Sequence, residues 1–143
     1  MNLSEHFTLQ ELTQSPSAAK AGIDNTPDAT VVANLTRLCQ ALEDVRTLVG
    51  GAVMISSGYR CPALNELIGG SATSAHVRGL AADFTVPGLT PRQTVELLDD
   101  SGLVFDQLIL EFDRWVHLGL SEVAPRRQVL TLRKGSGYQP GIV

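Results

Sequence analysis

Between Thr26 and Gly51 the chain carries the pattern that most constrains its fold. Val31, Leu35, Leu38, Leu42, Val45 and Val49 recur at steps of three and four residues. That spacing places all six on one face of an α-helix and requires the face to be buried. Thr26 reads as the N-cap, with Pro27 at the first helical position and Asp28 in the first turn. Gly50-Gly51 ends the helix. Cys39 falls on the apolar face and is expected to be a buried thiol. Cys61 has no second cysteine near it, so neither a disulfide framework nor a cysteine-rich metal site is expected.

The remaining elements are short. Thr8 and Glu11 form a capping box that opens a helix through Leu12. Val53 to Ile55 reads as a strand, and Cys61 to Ile68 as a short helix closed by Gly69-Gly70. Gly69 to Ser74 is a loop of small residues, and Ala81 to Val86 a strand. Thr90-Pro91-Arg92-Gln93 is a second capping box, opening a helix to about Asp100. Gln107 to Glu111 and Trp115 to Leu120 read as a hairpin around Phe112-Asp113-Arg114, and Gln128 to Leu132 as a last strand. The Gly- and Pro-rich tail from Gly135 is expected to lie on the surface or fray. Helices followed by mixed short strands predict an α+β fold rather than a doubly wound parallel sheet. The 143 residues are expected to form one domain, 1–143.

Charge and composition narrow the function classes. The net charge is -4 and no basic patch with interleaved aromatics occurs, which speaks against a nucleic-acid partner. No apolar run is long enough to span a bilayer. The start, Met1 to Phe7, lacks the pattern of a signal peptide, so the expectation is synthesis in the cytoplasm.

The chemistry concentrates in Ser74-Ala75-His76-Val77-Arg78-Gly79-Leu80-Ala81-Ala82-Asp83 and in Trp115-Val116-His117. Two of the three histidines fall here. Two His and an Asp supply the three protein donors that a catalytic zinc ion needs, with a fourth position open to water. The same donors suit several divalent ions. On a strand, Asp83 shares its face with Ala81 and Thr85, while Ala82 and Phe84 point the other way. In the hairpin, Trp115, His117 and Gly119 share a face, and Glu111 opposite Trp115 lies on the same side, diagonal to His117. Taken singly, each of these residues is more often an ordinary polar side chain than a ligand.

The motif Ser74-x-His76-x-x-Gly79-x-Ala81-x-Asp83, preceded by Ser57-Gly58-Tyr59-Arg60 and followed by Trp115-Val116-His117, resembles the zinc D-Ala-D-Ala carboxypeptidase family. That family includes phage L-Ala-D-Glu endolysins and D,D-dipeptidases and, more remotely, hedgehog signalling domains. The resemblance spans about residues 4 to 120. It implies a small, mainly antiparallel sheet with helices packed on one side. It also implies one Zn2+ held by His76, Asp83 and His117, and Arg60 reaching the scissile carbonyl oxygen. Ser74 would line the substrate subsite or serve as a loop-capping hydroxyl, and Gly79 would permit a tight turn between two ligands.

Many family members carry an acid three residues before the second His; here Arg114 stands there. The general base is therefore expected to be Glu111, favoured by hairpin parity, with Asp113 the alternative. The implied activity is hydrolysis of peptidoglycan stem peptides or cross-links by a monomer of the phage-type branch, acting at the cell wall after lysis or from a virion. The alternative is a non-catalytic zinc-stabilised module that binds peptidoglycan or a protein.

Overall fold

The computed structural model describes residues 1–143. Five α-helices, α1 (Leu9–Thr13), α2 (Pro16–Ala21), α3 (Ala29–Val49), α4 (Pro62–Leu67) and α5 (Pro91–Asp99), accompany six strands, β1 (Met54–Ser57), β2 (Ala81–Thr85), β3 (Gln107–Glu111), β4 (Trp115–Gly119), β5 (Gln128–Arg133) and β6 (Gly137–Pro140). The strands form one sheet in the order β1-β2-β4-β3-β5-β6. Every pairing is antiparallel except β3 with β5. This is the expected α+β architecture.

Strand parity divides the sheet into two functional faces. Ala82, Phe84, Leu108, Leu110, Val116 and Leu118 point to one side and join the main core with Leu35, Leu38 and Leu42 of α3 and Val95 and Leu98 of α5. Full burial of each Leu, Val or Phe side chain contributes about 1.5–3 kcal/mol. The other side carries Asp83, His117, Ile109 and Glu111, and no helix covers it with an apolar stripe. Cys39 is completely buried among the core residues, and burial pushes its thiol up to about 12.

Both capping boxes form, at Thr8/Glu11 and Thr90/Gln93. Two local expectations are corrected, and one helix was not anticipated. The long helix is capped by Asp28, whose carboxylate accepts from the Val31 N–H at 2.9 Å. Thr26 instead donates its N–H and hydroxyl to Asp24 Oδ1, at 3.0 and 2.6 Å, so its side chain is already engaged outside the helix. A further helix, α2, starts with Ser15 as N-cap and Pro16 in its first turn, a start signal the apolar spacing did not reveal.

The second correction concerns the tail, which lies on the surface as expected but pairs as a strand and does not fray. Residues Gly137–Pro140 pair with β5. The segment is pinned where the Gly141 N–H donates to the Val129 carbonyl at 2.8 Å and the Thr131 hydroxyl to the Gly141 carbonyl at 2.7 Å. Gly135 supplies the turn between β5 and β6 at φ 88°, a backbone state open to glycine at little cost.

Candidate metal centre

Two rows of side chains cross the face of the sheet opposite the main core. The first contains Asp83 and His117, direct cross-strand partners, followed by Ile109 and Leu130. The second, two residues along, contains Trp115, Glu111, Leu132 and Tyr138. The predicted hairpin is therefore correct in register. Its turn places Phe112 and Asp113 at φ 56° and 55°, and the Arg114 N–H donates back to the Glu111 carbonyl at 3.0 Å.

His76 comes from a different element, a 3₁₀ turn over Ala75–Arg78 that directly follows the loop expected over Gly69 to Ser74. Ser74 caps this turn by accepting the His76 N–H, and Gly79 ends it at φ 74°. A Cβ at Gly79 would lie 2.9 Å from Val31 Cγ1 and 3.0 Å from the Val31 carbonyl oxygen. The bare glycine thus lets the turn sit directly on α3 before the chain enters β2.

The three predicted donors converge. One donor atom from each of His76, Asp83 and His117 lies within 4.8 Å of the other two, and all three residues are buried. Asp83 Oδ1 is 3.3 Å from His76 Nε2 and 3.0 Å from His117 Nδ1. His76 Nδ1 lies 2.7 Å from the Gly58 carbonyl oxygen, an acceptor only, so Nδ1 carries the proton and the Nε2 lone pair faces the cluster. Burial opposes the charge on Asp83, but the hydrogen bond to His117 and the adjacent His76 and His117 rings hold its carboxyl far below the usual range. Two imidazole nitrogens aimed at one ionised carboxylate oxygen, with the outer nitrogen of His76 fixed by a carbonyl, fit a divalent ion of the zinc type. The absent Cβ of Gly119 makes room for His117, whose Nε2 would lie 3.3 Å from such an atom.

The remaining predicted residues separate clearly. Glu111 borders the donors: Oε1 is 3.7 Å from His117 Nδ1 and accepts from Trp115 Nε1 at 3.2 Å. Burial, with a smaller contribution from Asp83, raises its carboxyl above the ordinary glutamate value, against the opposing pull of His117. Arg60 and Ser74 line the same cleft, of about 570 Å³, as the three donors and Glu111. Arg60 Nη2 donates to Ser74 Oγ at 3.3 Å. Its Nε is buried without a partner, and burial lowers the guanidinium pKa while Asp83 and Glu111 act to raise it. Asp113 stands apart at the turn tip, paired with Arg133 at 3.0 Å and 3.1 Å, and does not line the cleft.

Several contributors were not anticipated. Asn25 donates to the Thr13 and Tyr59 carbonyls at 2.8 and 3.0 Å and accepts from the Cys61 N–H at 2.7 Å. It thereby clamps the backbone on both sides of Arg60. Its contacts reach 12 to 36 residues along the chain, so no local pattern could have marked it. The indole of Trp115 orients Glu111, a role its place opposite Glu111 in the hairpin could have suggested. Tyr138 lines the cleft from the tail strand.

A buried His-Asp-His donor set opening on a polar cleft, with a carboxylate and a guanidinium beside it, defines a mononuclear metallohydrolase type of site. The family model for peptidase M15 matches residues 5–119, and the chain belongs to this family. No curated protein matches it. M15 peptidases are zinc-dependent metallopeptidases of cell-wall peptides, and His76, Asp83 and His117 form a set that can hold the metal. No helix is long and apolar enough to cross a membrane.

Proposed function

We propose that this chain hydrolyses a peptide bond in the stem peptides or cross-links of bacterial peptidoglycan. His76, Asp83 and His117 would hold one zinc ion, Glu111 would act as general base and acid, and Arg60 would stabilise the developing oxyanion. The observation that carries the reading is the position of Glu111, a partly buried carboxylate 3.7 Å from a metal-donor nitrogen on the wall of the cleft.

Zinc, when bound, supplies a Lewis acid that polarises the carbonyl and brings the pKa of a water near neutrality. Glu111 accepts the proton of the attacking water. Trp115 occupies Oε1, and the other carboxylate oxygen has no partner within the chain. Burial raises the basicity of Glu111, which suits a group that must take a proton near neutral pH and return it to the leaving nitrogen. Arg60, clamped by Asn25 through its neighbours and held by Ser74, donates to the carbonyl oxygen as negative charge develops there. Asp113, fixed to Arg133 outside the cleft, takes no part.

Digestion of purified peptidoglycan with and without a chelator, followed by mass analysis, tests the reading. New amino termini on D-Glu identify an L-Ala-D-Glu endopeptidase of the kind phage endolysins represent. Loss of terminal D-Ala identifies a carboxypeptidase. Absence of cleavage with zinc supplied overturns the enzyme reading and leaves a zinc-stabilised binding module.

A further inference from the structure

The family match ends at residue 119, yet the cleft does not. β5 and β6 follow it, and Tyr138 of β6 is one of the residues that line the cleft. Register explains how. Glu111 pairs with Leu132, and Leu132 pairs with Tyr138, so the phenol lies on the Glu111 face of the sheet. Two strand spacings, roughly 10 Å, separate the two backbones. Leu132 lies between them on the same face, so Glu111 and Tyr138 flank one stretch of sheet surface.

The strand that carries Tyr138 is held in place. Arg133, its neighbour across the turn, pairs with Asp113, and the Val143 carbonyl accepts from both Arg133 Nη1 at 2.6 Å and Arg92 Nη1 at 3.1 Å. Tyr138 is 60% exposed, outside the core, and its hydroxyl has no hydrogen-bond partner in the chain. Partial burial of the phenol, then the charges of Glu111 and Asp83, push it above the ordinary tyrosine value, so it stays a proton donor. The anchored strand thus holds an exposed hydroxyl donor on the lining of the cleft.

We propose that Tyr138 is a substrate-positioning residue: its hydroxyl donates a hydrogen bond to the bound peptide on the side of Glu111 away from the metal donors. This inference rests on the peptidase reading given above. It makes the β5–β6 hairpin, beyond the family-matched region, a wall of the substrate site.

The test compares wild type, Tyr138→Phe and Tyr138→Ala, all zinc-loaded, on a purified stem pentapeptide. Loss of one hydrogen bond predicts a rise in KM of about three- to tenfold for Tyr138→Phe, with kcat within about twofold. Tyr138→Ala should raise KM at least as far, with unchanged melting. An unchanged KM in Tyr138→Phe overturns the proposal, even where Tyr138→Ala is impaired, because only the ring would then matter. A fall in kcat with unchanged KM also overturns it.

If wild type cleaves nothing, the peptidase reading fails separately, and the same pentapeptide is titrated while Trp115, the single tryptophan, reports binding by fluorescence. Weaker binding by Tyr138→Phe then supports the contact. Equal affinity, or no binding by any form, refutes it.

Discussion

Replacing Glu111 by Gln isolates the one property on which the proposed chemistry depends. The two side chains have the same shape, and the Gln carbonyl can still accept the Trp115 Nε1–H that Oε1 now accepts at 3.2 Å. What disappears is the negative charge and the ability to take a proton. Loss of a positioned general base costs about 10²- to 10⁴-fold in turnover, or about 2.7–5.4 kcal/mol of barrier. The fold should not suffer in the metal-free protein, because burial and the neighbouring Asp83 both disfavour the Glu111 charge that the substitution removes.

Zinc content should also persist, since Glu111 is not one of the three mutually close donors. The assay is stem-peptide hydrolysis at saturating zinc, with metal content measured on the same sample. Full turnover by zinc-loaded Glu111→Gln would refute the assignment. So would loss of the metal, which would make Glu111 a ligand rather than a base. Asp113→Asn is the matching control: it breaks only the pair with Arg133 and should leave turnover intact.

Three further outcomes follow from the same geometry. Zinc at a hundredfold excess over its Kd should stabilise the fold by about 2.7 kcal/mol, a rise of about 5–11 °C in Tm for a chain of this size; melting with zinc against chelator should show it, and His76→Ala should abolish it. Gly79→Ala combines a left-handed backbone with contacts to Val31 and should cost about 2–4 kcal/mol in urea unfolding; a change below measurement error would show that the turn relaxes freely. Glu43 accepts from Ser4 Oγ and the His6 N–H, and although burial opposes its charge, these bonds and the His6 ring hold its carboxyl below the ordinary value. Its folded pKa is thus the lower one, and its contribution is present above the unfolded value and lost as pH falls through the folded value. Glu43→Gln should therefore cost about 1 kcal/mol at neutral pH, and the gap should begin to narrow below about pH 4; a gap unchanged in acid would refute the assignment.

The legible parts of the sequence were those governed by near neighbours. Helical spacing revealed the buried face of α3, two capping boxes revealed the starts of α1 and α5, and period-two alternation put Glu111 on the His117 side of its hairpin. The parts that escaped depend on partners distant in sequence. Thr26 has the composition of an N-cap, but its hydroxyl bonds Asp24, and Asp28 caps the helix instead. Residues 137–140 look like a fraying tail because nothing in Gly-Tyr-Gln-Pro indicates a strand. They pair because β5 offers an open edge and Thr131 and Arg133 anchor the last residues. Tyr138 was therefore invisible until the pairing was known.

The charge pattern of the cleft gives the donor set its direction. Asp83 is ionised well below the usual carboxylate range, and Glu111 stands on the same face of the sheet, 3.7 Å from a nitrogen that Asp83 also engages. Arg60 is the cation that both acids act on, and its Nε is buried without a partner. Two carboxylates against one partly desolvated guanidinium leave a local negative excess at a buried position, which is costly unless a cation offsets it. A divalent ion among His76, Asp83 and His117 would turn that excess into a net positive charge where a carbonyl oxygen must gain electron density. Removing the Asp83 charge alone, as in Asp83→Asn, should therefore reduce zinc affinity and turnover together. Removing the Glu111 charge should reduce turnover alone. The contrast between these two substitutions separates holding the ion from moving the proton.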